Sequence, residues 1–178
     1  MQQTNFLQKA EKAFKAKQFS KVISLLEPMV IEYKDSFKFY YLLGVSCMYQ
    51  NDFGGAEAYL NRARRIKINS PELMVAQGAL FLRRGEIARA VEYYLEALEY
   101  APNNKDAKKA LKFIRINSDK EKIQNLAYSG KLKKFFPSTG LHPLVPVFSC
   151  ICVVFFIGFF YFITNYQKIF GLNGVRAD

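Results

Sequence analysis

The sequence predicts an all-α fold: a solenoid of helix-turn-helix repeats with a capping helix, then a basic juxtamembrane helix and one C-terminal transmembrane helix. Three observations carry this. Small and bulky apolar residues return every 34 residues, Gly44 as Gly78, Ala56 as Ala90, Ala63 as Ala97 and Leu60 as Tyr94. A period of that length marks stacked helix pairs that complete a core only against their neighbours. Residues 1–134 mix apolar and charged positions as amphipathic helices do, whereas residues 135–167 contain no Asp, Glu, Lys or Arg. The net charge of +11 is concentrated just before that uncharged stretch: residues 105–134 hold 10 basic and 3 acidic side chains, against 14 and 11 in residues 1–104. This placement points to an anionic membrane surface before nucleic acid.

Each unit should hold two antiparallel helices. In the first, residues 3–36, they run near 3–17 and 20–34; Pro28 lies inside the second, where it should kink or shorten it. Here Ala10, Val22, Leu26 and Met29 occupy the periodic slots. In the second unit, 37–70, the helices run near 37–50 and 53–67, separated by Asn51-Asp52. In the third, 71–104, they run near 71–84 and 87–100, separated by Gly85 and ended by Pro102 with Asn103-Asn104. Ser70 is a candidate N-cap and Pro71 a favourable first helical residue.

Residues 104–117 read as a capping helix. Ala107, Ala110, Leu111 and Ile114 share one face, and Lys105, Lys108, Lys109, Lys112 and Arg115 lie mostly on the other. Residues 118–143 form a basic juxtamembrane helix and linker. The helix, 119–136, starts at a capping-box signal, Ser118 with Glu121, and a break follows at Pro137-Ser138-Thr139-Gly140. Residues 144–163 are uncharged, and fourteen of the twenty are Leu, Ile, Val or Phe. These contribute roughly −4 to −8 kcal/mol towards insertion, and twenty residues span about 30 Å as a helix. Lys131, Lys133 and Lys134 precede this segment, with only Lys168 and Arg176 beyond it. The positive-inside rule therefore places the repeats in the cytoplasm and the short tail, 164–178, outside. This is a single-pass, tail-anchor layout, with a bacterial inner membrane favoured over an organelle outer membrane.

The periodic slots resemble the tetratricopeptide repeat family over about residues 3–117. In that family a small residue midway along the first helix lets the paired helices approach closely, as Ala10, Gly44 and Gly78 would here. Small residues in the second helix, here Ala56, Ala63, Ala90 and Ala97, admit the next unit. The third unit agrees best, with Gly78, Phe81, Ala90, Tyr94, Ala97 and Pro102 in place. The second keeps Tyr40, Leu43, Gly44, Ala56, Leu60 and Ala63, and the first is degenerate.

The resemblance implies an inner wall formed by the first helix of each unit, lined by Leu7, Glu11, Phe14 and Lys15, then Lys38, Tyr41, Val45, Met48 and Tyr49. The third unit would add Glu72, Val75, Ala79, Leu82 and Arg83. Such a wall suits an amphipathic helix or extended apolar segment of a partner protein. Chaperone-tail binding does not fit: Leu7, Glu11 and Leu42 stand where that clamp has Lys and Asn.

Other chemistry is not expected. The single His, His142, lies beside Pro143 with no Cys or carboxylate cluster. Gly54-Gly55 lacks the Lys-Ser/Thr of a phosphate loop. Glu92, Glu96 and Glu99 read as a solvated helix face. The odd count of cysteines, Cys47, Cys150 and Cys152, argues against a disulfide framework. The first residues also lack the basic start and apolar core of a cleaved signal. The expectation is therefore a non-enzymatic, cofactor-free scaffold that binds a protein partner. Its tail helix meets a membrane, its lysines are available to anionic lipid, and nucleic acid is not expected. The alternatives are a self-stacking subunit of a bacterial motility or secretion machine, a homo-oligomer in that case, or a tail-anchored organelle adaptor like the mitochondrial fission adaptor. A third is a lipid-surface sensor working through residues 105–134.

Overall fold

The computed structural model describes residues 2–117 and 119–138. The predicted span 144–163, the tail 164–178, Cys150, Cys152 and His142 lie outside the described residues. Among the described residues, no helix is long and apolar enough to cross a membrane.

Among the described residues eight α-helices follow one another: α1 (Gln2–Lys15), α2 (Phe19–Leu26), α3 (Phe37–Tyr49), α4 (Phe53–Ile66), α5 (Pro71–Arg83), α6 (Ile87–Tyr100), α7 (Lys105–Ile116) and α8 (Lys120–Tyr128). Short 3-10 turns occupy Glu27–Met29 and Lys131–Phe135. The all-α expectation holds across these residues, and α1/α2, α3/α4 and α5/α6 pack as hairpins.

The period is written into helix starts and turns as well as the core. Ser36, Ser70 and Asn104, spaced by the same 34 residues, each cap the next helix by accepting a backbone N–H in its first turn. This satisfies donors that a helix start otherwise leaves orphaned. The turns inside the hairpins place Lys17, Asn51 and Gly85 in left-handed backbone, at φ 58°, 64° and 78°. The recurrence extends to the first unit even though its apolar slots diverge. Pro28 acts as expected: α2 ends at Leu26 and a 3-10 turn carries the Pro.

Close approach depends on the two mid-helix glycines. A Cβ at Gly44 would lie 2.8 Å from Leu60 Cγ and Cδ2, and one at Gly78 would lie 2.9 Å from Tyr94 Cε1. Leu60 and Tyr94 are both fully buried, so each hairpin closes by seating a large side chain where its partner helix has none. Between units the joint is partly polar. Arg64 of α4 pairs with Glu96 of α6 at 2.5 Å and donates to Gln77 of α5 at 3.2 Å. Gln77 in turn donates to Asn61 at 3.1 Å. Glu96 is thus a structural partner and not part of a solvated acidic face. Arg84 and Arg89 also hold Glu57 and Glu86 across α4, α5 and α6.

The fourth pair departs from the period. α7 begins where the repeat requires and packs on α6, burying Ala107 and Ala110 with its lysines outward. A regular α8 would then close a hairpin on α7. Instead α8 packs on α5 and on the Lys131–Phe135 turn. One period on from Gly78 stands Lys112, and one period on from Ala90 and Ala97 stand Gln124 and Lys131. All three close-approach slots therefore carry long side chains. One period on from Gly85 stands Asp119, whose φ is −71°, and it caps α8 by accepting from Glu121 and Lys122 N–H. The N-cap is thus Asp119, not Ser118. The helix expected to run to residue 136 stops at Tyr128, where Gly130 turns left-handed at φ 74° before the 3-10 turn.

Candidate protein-binding groove

The inner wall is formed by α1, α3 and α5, and most of the predicted wall side chains are not open. Val45, Met48 and Leu82 are fully buried, and Phe14 and Val75 nearly so. Their expected exposure is corrected. They lie in the continuous core formed as α1, α3 and α5 pack side by side, and the segment after α7 lies against α5 and the end of α3. Leu7, Tyr41, Tyr49 and Arg83 are half-buried, and Lys38 is exposed and pairs with Glu11 at 2.6 Å. Charge therefore sits at the rim, as expected, but the apolar centre is filled by the chain itself.

The occupying segment is held at three places. Arg83, at the end of α5, donates from Nη1 to the Ala127 carbonyl of α8, and its guanidinium lies 5.1 Å from the Phe53 ring centroid. Tyr49, at the end of α3, donates its hydroxyl to the Pro137 carbonyl at 3.0 Å. Its ring is stacked on Phe19 at 4.0 Å and met edge-on by Phe136 at 5.1 Å. Phe135 rests on Phe113 of α7 at 4.9 Å. Leu132, Phe135 and Phe136 are buried, and Ile123 and Ala127 of α8 are buried with them.

The lysines of this segment behave differently from its apolar residues. Lys131, Lys133 and Lys134 are exposed. None forms an ion pair among the described residues, and Lys134 places its ammonium 4.8 Å from the Phe113 ring. Sequence reasoning singled out the lysines and noticed Phe135 among the aromatics near them, but missed that Leu132, Phe135 and Phe136 form one buried set. The available signal was the i, i+3, i+4 spacing of those three large apolar residues inside a basic stretch.

Tyr41 is half-buried on the wall, with its ring stacked on Phe37 at 5.9 Å. Burial pushes its phenol well above the ordinary range, and Glu72, Tyr49 and Asp106 add to the rise. It is therefore a neutral hydrogen-bonding group at any ordinary pH. Cys47 is fully buried, and burial with Asp52 and Glu27 nearby pushes its thiol up to about 12, which leaves it unreactive as a nucleophile.

No curated relative matches the chain. Residues 71–104, the α5/α6 hairpin that fills every periodic slot, match the tetratricopeptide repeat family, whose repeats mediate protein–protein interaction.

Proposed function

We propose that the chain is a non-enzymatic scaffold that holds a partner protein at a membrane. Its repeats face the cytoplasm, and residues 144–163 act as the anchor. The observation that best supports partner binding is the inner wall itself. A wall that buries Leu132, Phe135 and Phe136 of a short helical segment has the shape and chemistry to take such a segment from another protein. Membrane attachment rests on the uncharged stretch and on the lysines before it.

The test is affinity capture from membrane extracts with the full chain and with a Leu7→Glu, Tyr41→Glu variant. Both positions are half-buried on the inner wall, so the charges disturb the wall without entering the core, as Met48→Glu would. A partner retained by wild type and lost from a variant of unchanged helicity supports the reading. Identical capture by both proteins would rule out the inner wall as the binding surface. Extraction of the full chain by alkaline carbonate would rule out the anchor.

A further inference from the structure

We propose that the inner wall is a receptor for a short segment with a leucine followed by two adjacent phenylalanines at i, i+3 and i+4, and that residues 131–137 fill it in cis. A partner protein would enter by presenting the same apolar triad in their place. This rests on the reading that the inner wall binds protein, and it names the chemistry of the ligand.

Three observations converge on this assignment. First, the segment is held as a ligand is held. Among the described residues its one long-range hydrogen bond is donated by a wall side chain, Tyr49 to the Pro137 carbonyl. This contact reads a main-chain oxygen that any segment of this shape would offer. Second, the side chains that enter are Leu132, Phe135 and Phe136, while Lys131, Lys133 and Lys134 stay exposed, Lys134 with its ammonium 4.8 Å from the Phe113 ring. The buried contacts thus select apolar shape. Third, the segment has no alternative place in the array. The slots that would seat it as a regular repeat helix carry Lys112, Gln124 and Lys131, and its entry passes through Gly130, with φ 74° and no atom within 4 Å of where a Cβ would sit.

Competition follows from tethering. A segment linked to its own groove acts at an effective concentration of about 1 mM. A groove that binds the free segment near 10 μM would therefore show a trans ligand an affinity about 100-fold weaker.

The experiment uses the full chain in detergent and a fluorescent peptide of residues 129–138 as the probe, read by anisotropy. A Leu132→Asp, Phe136→Asp variant disables the cis segment and leaves the wall intact. The variant should bind the peptide at least 30-fold more tightly than wild type does. A control peptide with serine at both phenylalanines should not bind. Equal binding to both proteins, no binding to a variant of unchanged helicity, or equal binding of the control peptide would each overturn the proposal.

Hydrogen exchange on the wild-type chain gives an independent reading that needs no variant. The amides of residues 123–136 should exchange at least 100-fold faster than those of α5, through local release of the segment. Exchange at the rate of α5 would make the segment an integral part of the core and overturn the proposal. Neither measurement requires a cellular partner, so an empty affinity capture and a failed peptide titration remain distinct results.

Discussion

The same chemical change, glycine to alanine, should have opposite effects at two positions ten residues apart in the second hairpin. At Gly44 the new methyl would lie 2.8 Å from Leu60 Cγ and Cδ2 and 3.2 Å from the Leu60 amide nitrogen. Leu60 is fully buried, and its amide is part of the α4 backbone, so neither can turn aside. Overpacking of this kind costs about 1–3 kcal/mol. The contact with backbone puts this site at the upper end, and the helix preference of alanine over glycine returns about 1 kcal/mol. The net loss is about 2 kcal/mol. At Gly54, in the exposed first turn of α4, the nearest atom is Asp52 Oδ1 at 3.9 Å. There alanine should stabilise by about 0.5 kcal/mol through lost freedom in the unfolded chain. For a unit of this size about 3 °C accompanies each kcal/mol, so the two variants should melt about 8 °C apart. Far-UV circular dichroism of the full chain in detergent measures this directly. Leu60→Ala in the Gly44→Ala background should recover part of the loss, with a coupling of about 1 kcal/mol or more. A Gly44→Ala protein that melts at or above Gly54→Ala would refute the claim that the hairpins need close helix approach.

Other changes test separate parts of the structure. Tyr94→Phe removes a buried hydroxyl with no partner and should leave the melting temperature unchanged or raised by a few degrees; a loss above about 1 kcal/mol would mean that the hydroxyl is satisfied in solution. Lys17→Gly should stabilise by about 1 kcal/mol, because Lys17 holds φ 58° and a Cβ there is strained; denaturant midpoints will read it. The pH dependence comes from Cys47 and Tyr59, both pushed up to about 12, Cys47 chiefly by burial and Tyr59 by burial and its neighbour Glu27. The folded state keeps these protons longer than the unfolded chain, whose thiol and phenol release them near about 8.5 and about 10. Their stabilising contribution is thus complete below about pH 8 and is lost as pH rises towards 12. Urea midpoints should be level from pH 6 to 8 and fall above pH 9, and a level profile to pH 11 would contradict the assignment. Arg83→Ala removes the hydrogen bond to Ala127 and should speed limited proteolysis after Lys131 or Lys133 several-fold, with α3–α6 remaining intact.

The hairpins were legible because their causes are local. Gly44, Gly78, Ala56 and Ala90 sit in sequence at the spacing that close packing requires, and Ser70, Pro28 and Gly85 act through their own backbone. The groove was not legible for the opposite reason. Whether Val45 or Met48 faces a partner depends on what covers the inner wall, and the cover comes from residues more than 70 positions further along the chain. A repeat pattern specifies which face is concave but not whether that face is empty. The same limit applies to Glu96, whose place on an acidic stripe gave no hint that Arg64 of the neighbouring unit would reach it at 2.5 Å.

The loss of the fourth repeat and the filling of the groove are one event. The first helix of that repeat is not at fault, because α7 starts in register and is capped by Asn104 like the helices before it. What fails is closure. Lys112 replaces the glycine that would receive α8, Gln124 and Lys131 replace the alanines that would let it lie flat, and Asp119 keeps a negative φ where Lys17, Asn51 and Gly85 turn left-handed. The chain still has apolar residues to bury after α7, in Ile123, Ala127, Leu132, Phe135 and Phe136. With the hairpin site blocked, the unsealed inner wall is the apolar surface within reach, and burial of those side chains there follows from the cost of leaving them in water. The end of an array therefore does more than stop it. By denying α8 a hairpin, the sequence lays the material of a fourth repeat against α5 and the end of α3.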